Sequence, residues 1–450
     1  MHLALYLEAG THLGGWRLPE SATSGGVDWA LYKTVARRAE AAKLDMLFVA
    51  DKLSIDDNYG QHFADTVKYR LVTRPEPLTT LAALGAVTDH IGIGGTISSS
   101  YASPYAAARM LANIDHISGG RAAWNLVTSV SDGEARNFGR EQHFGHEERY
   151  LRAIEFADVM GKLWDSWEAD ALVLDKKSGV FADPTKFHYI DHEGDFFKIR
   201  GPINVPRPPQ GRPVLIQAGV SDRFQGIAAQ NAEVIFVVHA ELERARSFYK
   251  NFKEKVVEGG RSENAVKVLP GIVPVVGRTR KEALDKEREL KELILPEAGL
   301  SFMSASMNFD LAQFPQNAPF PDITDKITGS VGRFQYVIKR AIEQKMTVAE
   351  VGKWYAESLS FFAPVGTPDE VADQLAHWYA QRACDGFVIL PPYIRRDEDL
   401  FLEGVVPVLQ ERGLFRREYP GTTLRETLGL ERPANQFETR ETTEKRRAAL

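Results

Sequence analysis

Short runs rich in Val, Ile, Leu and Phe recur along the chain at residues 2–7, 46–50, 91–98, 122–128, 214–218, 233–238, 268–276 and 386–390. Each is followed by a stretch whose apolar residues return every three or four positions. A nearly continuous apolar run predicts a strand covered on both faces, and the three-to-four spacing predicts the helix that covers it. The helical stripes are explicit: Leu31, Val35, Ala39 and Ala42 fall one turn apart, as do Phe156, Met160, Trp164 and Trp167. Asp28 is placed to cap the first of these helices. Further helices are predicted over 77–89, 105–117, 221–231, 241–258, 279–293, 368–382 and 398–412. Alternating strand and helix gives an α/β fold, and a count of eight βα units is that of a closed (β/α)8 TIM barrel. An open doubly wound sheet shows the same alternation, so only the strand count argues for closure.

Three stretches break the alternation, at 52–76, 169–212 and 295–366. The second reads as a hairpin, with Phe187-His188-Tyr189-Ile190 and Phe196-Phe197-Lys198-Ile199 flanking His192-Glu193-Gly194. The third, between strands seven and eight, is the longest and too long for a plain connection, and it is expected to cover the barrel mouth as a lid. Residues 1–431 then form a single domain carrying these insertions, and 432–450 form a polar tail expected to be disordered or to reach a neighbouring subunit.

Composition narrows the function. A net charge of -6 with both signs interspersed offers no basic stripe to nucleic acid. The single Cys384 excludes an intrachain disulfide and favours a reducing compartment. Residues 1–7 lack a basic leader and stop at Glu8, short of a membrane span, so the expectation is a cytoplasmic protein without membrane attachment. There is no Gly-x-Ser-x-Gly elbow and no phosphate loop of the Walker type, and Gly92-x-Gly94-Gly95 lies inside a strand, so no nicotinamide fingerprint is present.

Barrel chemistry sits where strands end. Asp51 follows the second run; Thr96 and Ser98 close the third; Asn125 lies in the fourth, with Ser129 just beyond it. Hydroxyls and an amide there suit a polar heterocycle, although each also suits a strand-end backbone bond. Gly219, Val220 and Ser221 lead from the fifth strand into a helix whose free N–H groups suit a phosphate. His146 and Tyr150, one turn apart, stand ready to close on the same ligand. His143 and His146 form an H-x-x-H pair without a nearby acidic ligand, and no metal site is expected. His12 follows the first strand and can exchange a proton, with Trp16 as an apolar wall.

Taken together, the blocks His12-Leu13-Gly14-Gly15-Trp16-Arg17, Asp115-His116-Ile117-Ser118-Gly119-Gly120-Arg121, Trp124-Asn125-Leu126-Val127-Thr128-Ser129, His146-Glu147-Glu148-Arg149-Tyr150 and Asp385-Gly386-Phe387 resemble the bacterial-luciferase-like monooxygenases. The likeness is to the branch containing nitrilotriacetate, EDTA and dibenzothiophene-sulfone monooxygenases, and it runs over nearly the whole chain. It implies a barrel that takes FMN, as FMNH2, from a separate NAD(P)H:FMN oxidoreductase and uses O2 to oxidise a small molecule, cleaving a C–S or C–N bond of a sulfone, sulfide, thioether or aminopolycarboxylate. It puts Asp51, Ser98, His146, Tyr150 and Ser221 at flavin-contacting positions, with Thr96, Asn125 and Ser129 beside the ring. It also implies a non-prolyl cis peptide at Ser98–Ser99 and a homodimer or homotetramer. His12 and Asn125 are the candidates for positioning or protonating the activated oxygen. Arg17 or cationic residues of the insertions would meet a substrate anion, and Phe302, Met303 and Met307 an apolar one. The alternatives are a deazaflavin-dependent hydride-transfer enzyme on the same scaffold, a metal-dependent barrel hydrolase and a flavin-binding protein without turnover.

Overall fold

The computed structural model describes residues 1–8, 10–22, 27–395 and 399–438. Its centre is a closed parallel barrel of β1 (His2–Tyr6), β2 (Met46–Val49), β3 (Gly92–Ser98), β4 (Ala122–Val127), β5 (Val214–Ala218), β6 (Val234–Val237), β7 (Lys267–Ile272) and β8 (Gly386–Ile389). Each strand pairs with its neighbours in sequence, and β1 closes on β8 through His2↔Gly386 and Leu5↔Ile389. The eight expected strands are therefore the eight observed, and the open sheet is excluded. Helices α1 (Trp29–Ala41), α2 (Pro77–Gly85), α3 (Pro104–Ile117), α4 (His146–Asp165), α5 (Asp222–Asn231) and α6 (Leu242–Glu258) follow the first six strands. Asp28 caps α1 by accepting the Leu31 N–H at 3.0 Å.

Two packed regions arise from the strand alternation. Side chains pointing inward, among them Ala4, Met46, Ala123, Ile216, Val234 and Val388, fill the lumen, where Leu424 and Leu428 of a short C-terminal helix plug the floor. Side chains pointing outward bury against the helices, as Trp124 does against Phe156 and Trp164. At the floor, a carboxylate one residue before each of β2, β6 and β8 accepts the N–H of the second residue of another barrel strand: Asp45 from Leu3 at 2.6 Å, Glu233 from Leu215 at 3.0 Å and Asp385 from Val268 at 2.8 Å.

The structure corrects four details of the sequence reading. The run 268–276 is not one strand: beyond Ile272 the chain leaves the barrel, Pro274 has no N–H for the ladder, and Val275–Val276 pairs with Val365–Gly366 of the returning lid. The hairpin of the second insertion is centred on His192–Glu193 against Lys198–Ile199, and a second hairpin pairs Leu172–Asp175 with Val180–Ala182. The peptide at Ser98–Ser99 is trans, and the Ser99 N–H continues the β3–β4 ladder to the Val127 carbonyl at 2.9 Å; among the described residues the cis bond is Gly201–Pro202. Residues 432–438 are not a free arm: Asn435 is buried and donates to the Asp165 and Trp167 carbonyls at 3.0 and 2.9 Å, and Phe437 stacks on His188. The remainder of the expected tail, 439–450, and residue 398 at the start of the last predicted helix lie outside the described residues.

The third insertion builds its own small core. Helices α7 (Pro296–Met307), α8 (Val331–Glu343) and α9 (Val348–Ser358) bury Leu300, Met303, Met307, Phe334, Val337 and Tyr355 together. It is tied to the first insertion, where Asn58 donates to Asn308 Oδ1 at 3.0 Å and the Gly60 N–H to Asp310 at 2.9 Å. The lid reaches the barrel through Phe361. A Cβ on Gly271 of β7 would sit 2.5 Å from that ring, so this glycine is what lets Phe361 descend between the strand ends.

Candidate functional site

At the carboxyl ends of the strands lies a cavity of about 520 Å³, within the roughly 300–1,000 Å³ span of small-ligand and cofactor sites. Its inner wall carries the edge-on pair Phe48 and Phe236, with centroids 4.8 Å apart. Of the residues named from sequence, Asp51, Ser129, His146, Tyr150, Gly219, Val220 and Ser221 line it. Thr96, Ser98 and Asn125 do not. They are buried in the barrel, on the inward-facing positions above Gly94 and Ala123, where Asn125 Nδ2 donates to Thr96 Oγ1 at 3.1 Å. Asn125 Oδ1 is buried there without a partner.

Ser98 instead works through a relay of hydroxyls. Ser129 Oγ donates to Glu134 Oε1 at 3.2 Å, so Ser98 Oγ, at 2.9 Å, donates to Ser129. Ser129 holds a positive φ of 49°, and the carboxylate that fixes this turn is the N3 member of a capping box opened by Ser131. Burial alone would raise the Glu134 carboxyl, but Lys52 at 3.6 Å and the Val130 and Leu53 N–H groups outweigh it and hold it below its ordinary range. Glu134 and Lys52 were missed from sequence, although Glu134 three residues after Ser131 was the legible signal.

On the opposite rim, Ser221 caps α5 by accepting the Phe224 N–H at 3.3 Å. Gly219 makes the approach possible, since a Cβ there would meet the Phe224 ring at 2.8 Å. His146 opens α4, with its ring 5.0 Å from that of Tyr150. Arg149 and Gln217 also line the cavity, and Arg149 Nε and Gln217 Oε1 are buried without partners. Both lie inside segments quoted from sequence, but neither was singled out.

His12 lines a second chamber of about 290 Å³, which shares Tyr6, Asp51, Lys52, Arg333, Phe361 and Leu390 with the first. Its Nδ1 accepts the Gly14 N–H at 3.1 Å, so the proton of the neutral ring resides on Nε2. Burial, with a smaller contribution from Lys291, lowers its pKa to about 4. Asp51, half-buried between the chambers, has its carboxyl raised by burial against the opposing Lys52 N–H. Trp16 and Phe302 belong to the second chamber, whereas Met303 and Met307 are wholly inside the lid core. Arg17 is exposed and donates to the Leu293 carbonyl, away from both cavities. Cys384 is buried, and among the described residues no group of three His, Cys, Asp or Glu is placed to hold a metal ion.

Residues 11–385 match the family described as luciferase-like monooxygenase. The chain belongs to that family. It is 42% identical over 430 residues to N-acetyl-S-(2-succino)cysteine monooxygenase of Bacillus subtilis, covering 95% of this chain and 96% of that protein. It is 41% identical over 441 residues to dibenzothiophene-sulfone monooxygenase of Rhodococcus erythropolis, covering 96% and 97%. Among solved structures, riboflavin lyase with modified FMN and riboflavin superposes with a TM-score of 0.86 at 30% identity, covering 96% of each chain.

The residues present fit a flavin mononucleotide. The cradle at Gly219, the exposed start of α5 and the unpartnered Gln217 Oε1 in the cavity wall are the features that such a ligand would use. No helix among the described residues is long and apolar enough to cross a membrane.

Proposed function

We propose that this luciferase-like monooxygenase is the oxygenase half of a two-component system, taking FMNH2 from a separate NAD(P)H:FMN oxidoreductase and oxidising a small organic sulfur or nitrogen compound with C–S or C–N cleavage. The observation that carries this reading is the pair of communicating chambers under one lid, the larger lined by Ser129, His146, Tyr150 and Ser221 and the smaller by His12. Ser221 and the first N–H groups of α5 would hold the phosphate, with His146 and Tyr150 closing on it. Thr96, Ser98, Asn125 and Ser129 would support the ring, and Asp51 its edge toward the substrate. Bound in its reduced form, the cofactor supplies two electrons to O2, so that one oxygen atom enters the substrate and the other leaves as water.

The remaining chemistry belongs to the chain. His12 presents Nε2–H to the smaller chamber as a neutral donor, fixed in orientation by Gly14. Asn125 is the second candidate for positioning oxygen, acting from inside the barrel. Phe361 closes the chambers from above and excludes water. Barrel and insertions over residues 1–431 act as one unit, cytoplasmic and assembled as a homodimer or homotetramer.

The test is oxygen uptake with FMN, NADH and a flavin reductase, using a panel of sulfides, thioethers, sulfones and aminopolycarboxylates under ¹⁸O2. Substrate-dependent uptake with label in the product is expected. Substrate consumption that persists without O2, or that requires a deazaflavin, overturns the reading.

A further inference from the structure

The two chambers meet at a cation that has no carboxylate partner among the described residues. The other cations lining the smaller chamber are matched within 4 Å: Arg70 by Asp56 at 2.9 Å, Arg74 by Glu8 at 3.0 Å, and Lys52 by Asp56 and Glu134 at 3.4 and 3.6 Å. Arg333 of α8 lies within 4 Å of no carboxylate among the described residues. Its Nη2 donates to the Leu359 carbonyl, its Nε is buried without a partner, and its guanidinium lies 5.3 Å from the centroids of Tyr355 and Phe361.

A half-buried guanidinium in such surroundings is fixed by its neighbours but not neutralised. Two aromatic faces and one carbonyl orient it without removing the demand for an anion. A planar fork held in one orientation is the arrangement that selects carboxylate or an isosteric oxyanion, since two parallel N–H groups meet two oxygens. Arg333 borders both chambers, whereas Ser221 borders only the larger one.

We infer that Arg333 is a specificity-determining residue that binds a carboxylate of the substrate, so that the substrate is an organic anion whose oxidised sulfur or nitrogen lies toward His12. This deepens the functional reading above and rests on it. The apolar share of the smaller chamber, Trp16, Phe302, Leu359 and Phe361, would take the carbon skeleton between the anion and the reacting atom. The alternative source of the same oxyanion chemistry is the flavin phosphate. Gly332, next in chain, comes close to Ser221, where an added Cβ would sit 4.0 Å from the Ser221 Cβ, and the experiment separates the two sources.

The probes are thiodiglycolate, methylthioacetate and nitrilotriacetate, each with its methyl ester, assayed for product with FMN, NADH and a flavin reductase. Wild-type enzyme is expected to prefer at least one acid to its ester. Arg333→Met keeps the stem on Tyr355 and Phe361 and should raise KM for that acid about 10- to 100-fold, the loss expected for a charged hydrogen-bonded pair, with little change for the ester. Arg333→Lys should recover part of that loss, which a merely structural role would not predict. FMN affinity, read by fluorescence quenching, should stay within about threefold of wild type in both variants; a larger fall confined to FMN assigns Arg333 to the phosphate and overturns the inference. Preference for the esters also overturns it while leaving the monooxygenase reading standing, because labelled product still forms. Absence of product from every probe counts against both.

Discussion

The two ends of the barrel treat buried polar groups in opposite ways. At the floor, Asp45 accepts from His2 at 2.7 Å and Arg416 at 2.6 Å, Glu233 from Arg425 at 2.6 Å, and Asp385 from Tyr249 and Lys253 at 2.8 and 2.9 Å. At the mouth, Thr11 Oγ1, Asn125 Oδ1, Gln217 Oε1 and the Nε atoms of Arg149 and Arg333 are buried with no partner. An unsatisfied buried polar atom costs about 1–3 kcal/mol, so a concentration of them at one end marks where the fold gives up stability to hold groups ready for a ligand. Floor residues should then govern stability and mouth residues activity, with little crossing between the two.

The largest expected effect is at the floor. Asp45→Ala leaves Arg416 and His2 facing each other without their carboxylate, and removing one member of a buried pair costs about 3–5 kcal/mol. Denaturant unfolding should show that loss, while FMN affinity, measured well below the new midpoint, stays unchanged. The wild type carries the same information in its pH dependence. Burial alone would raise the Asp45 carboxyl, but His2 and Arg416 lower it to about 2 from an ordinary 3.8. A depressed carboxyl stabilises above its unfolded pKa, so this contribution is intact at pH 5 and fades as the pH falls from about 4 toward 2. A Tm that falls equally in wild type and Asp45→Ala over that window would break the comparison.

Next is His12, at the mouth. Removing one preorganised donor costs about 2.7–4 kcal/mol of transition-state stabilisation, so His12→Ala should lower kcat by roughly 100- to 1,000-fold. Stability should change little, and the lost turnover should appear as hydrogen peroxide rather than product. Because burial holds the folded pKa near 4, His12 stays neutral between pH 5 and 8 and adds no acid limb to the wild-type rate profile. A limb near 6.5 that disappears in His12→Ala would show the ring titrating as if exposed and would remove it from the donor role.

How much of this contrast could be read from sequence follows from the range of the interactions. Strands announce themselves locally, and all eight fell within about two residues of their apolar runs, apart from β7, where the pairing of Val275–Val276 depends on Val365 and Gly366 from beyond the lid. Residues after strands were legible as a set because the barrel puts strand ends together; Asp51, Ser129 and Ser221 follow from position alone. What stayed hidden is where partners arrive from distant chain. Asp45 is visible before β2, but Arg416 comes from 371 positions away, and Arg425 reaches Glu233 across 192. Arg333 was hidden for the same reason: it looks like any cation of a long insertion until the lid is folded and no carboxylate among the described residues comes within 4 Å of it. Thr96, Ser98 and Asn125 were legible as residues in or at the ends of β3 and β4, but not as side chains buried short of both cavities, because position along a strand does not show how deeply the mouth is filled.

The smallest expected effect tests the one mouth residue that serves both ends of the argument. Ser221 Oγ already accepts the Phe224 N–H, so Ser221→Ala removes a helix cap worth about 1 kcal/mol as well as the hydroxyl proposed to donate to the phosphate. The backbone N–H groups at the start of α5 survive the substitution, which limits the loss in FMN affinity to about 3- to 10-fold, the weight of a single hydrogen bond. A weakened α5 would also loosen the rim, and FMN alone cannot separate that from the lost donor. Riboflavin can, because it has the same ring and lacks the phosphate. If Ser221 acts on the phosphate, the variant binds riboflavin as well as wild type does and loses only its preference for FMN; an equal loss for both ligands means that the cap, and with it the shape of the rim, is all that Ser221 supplies.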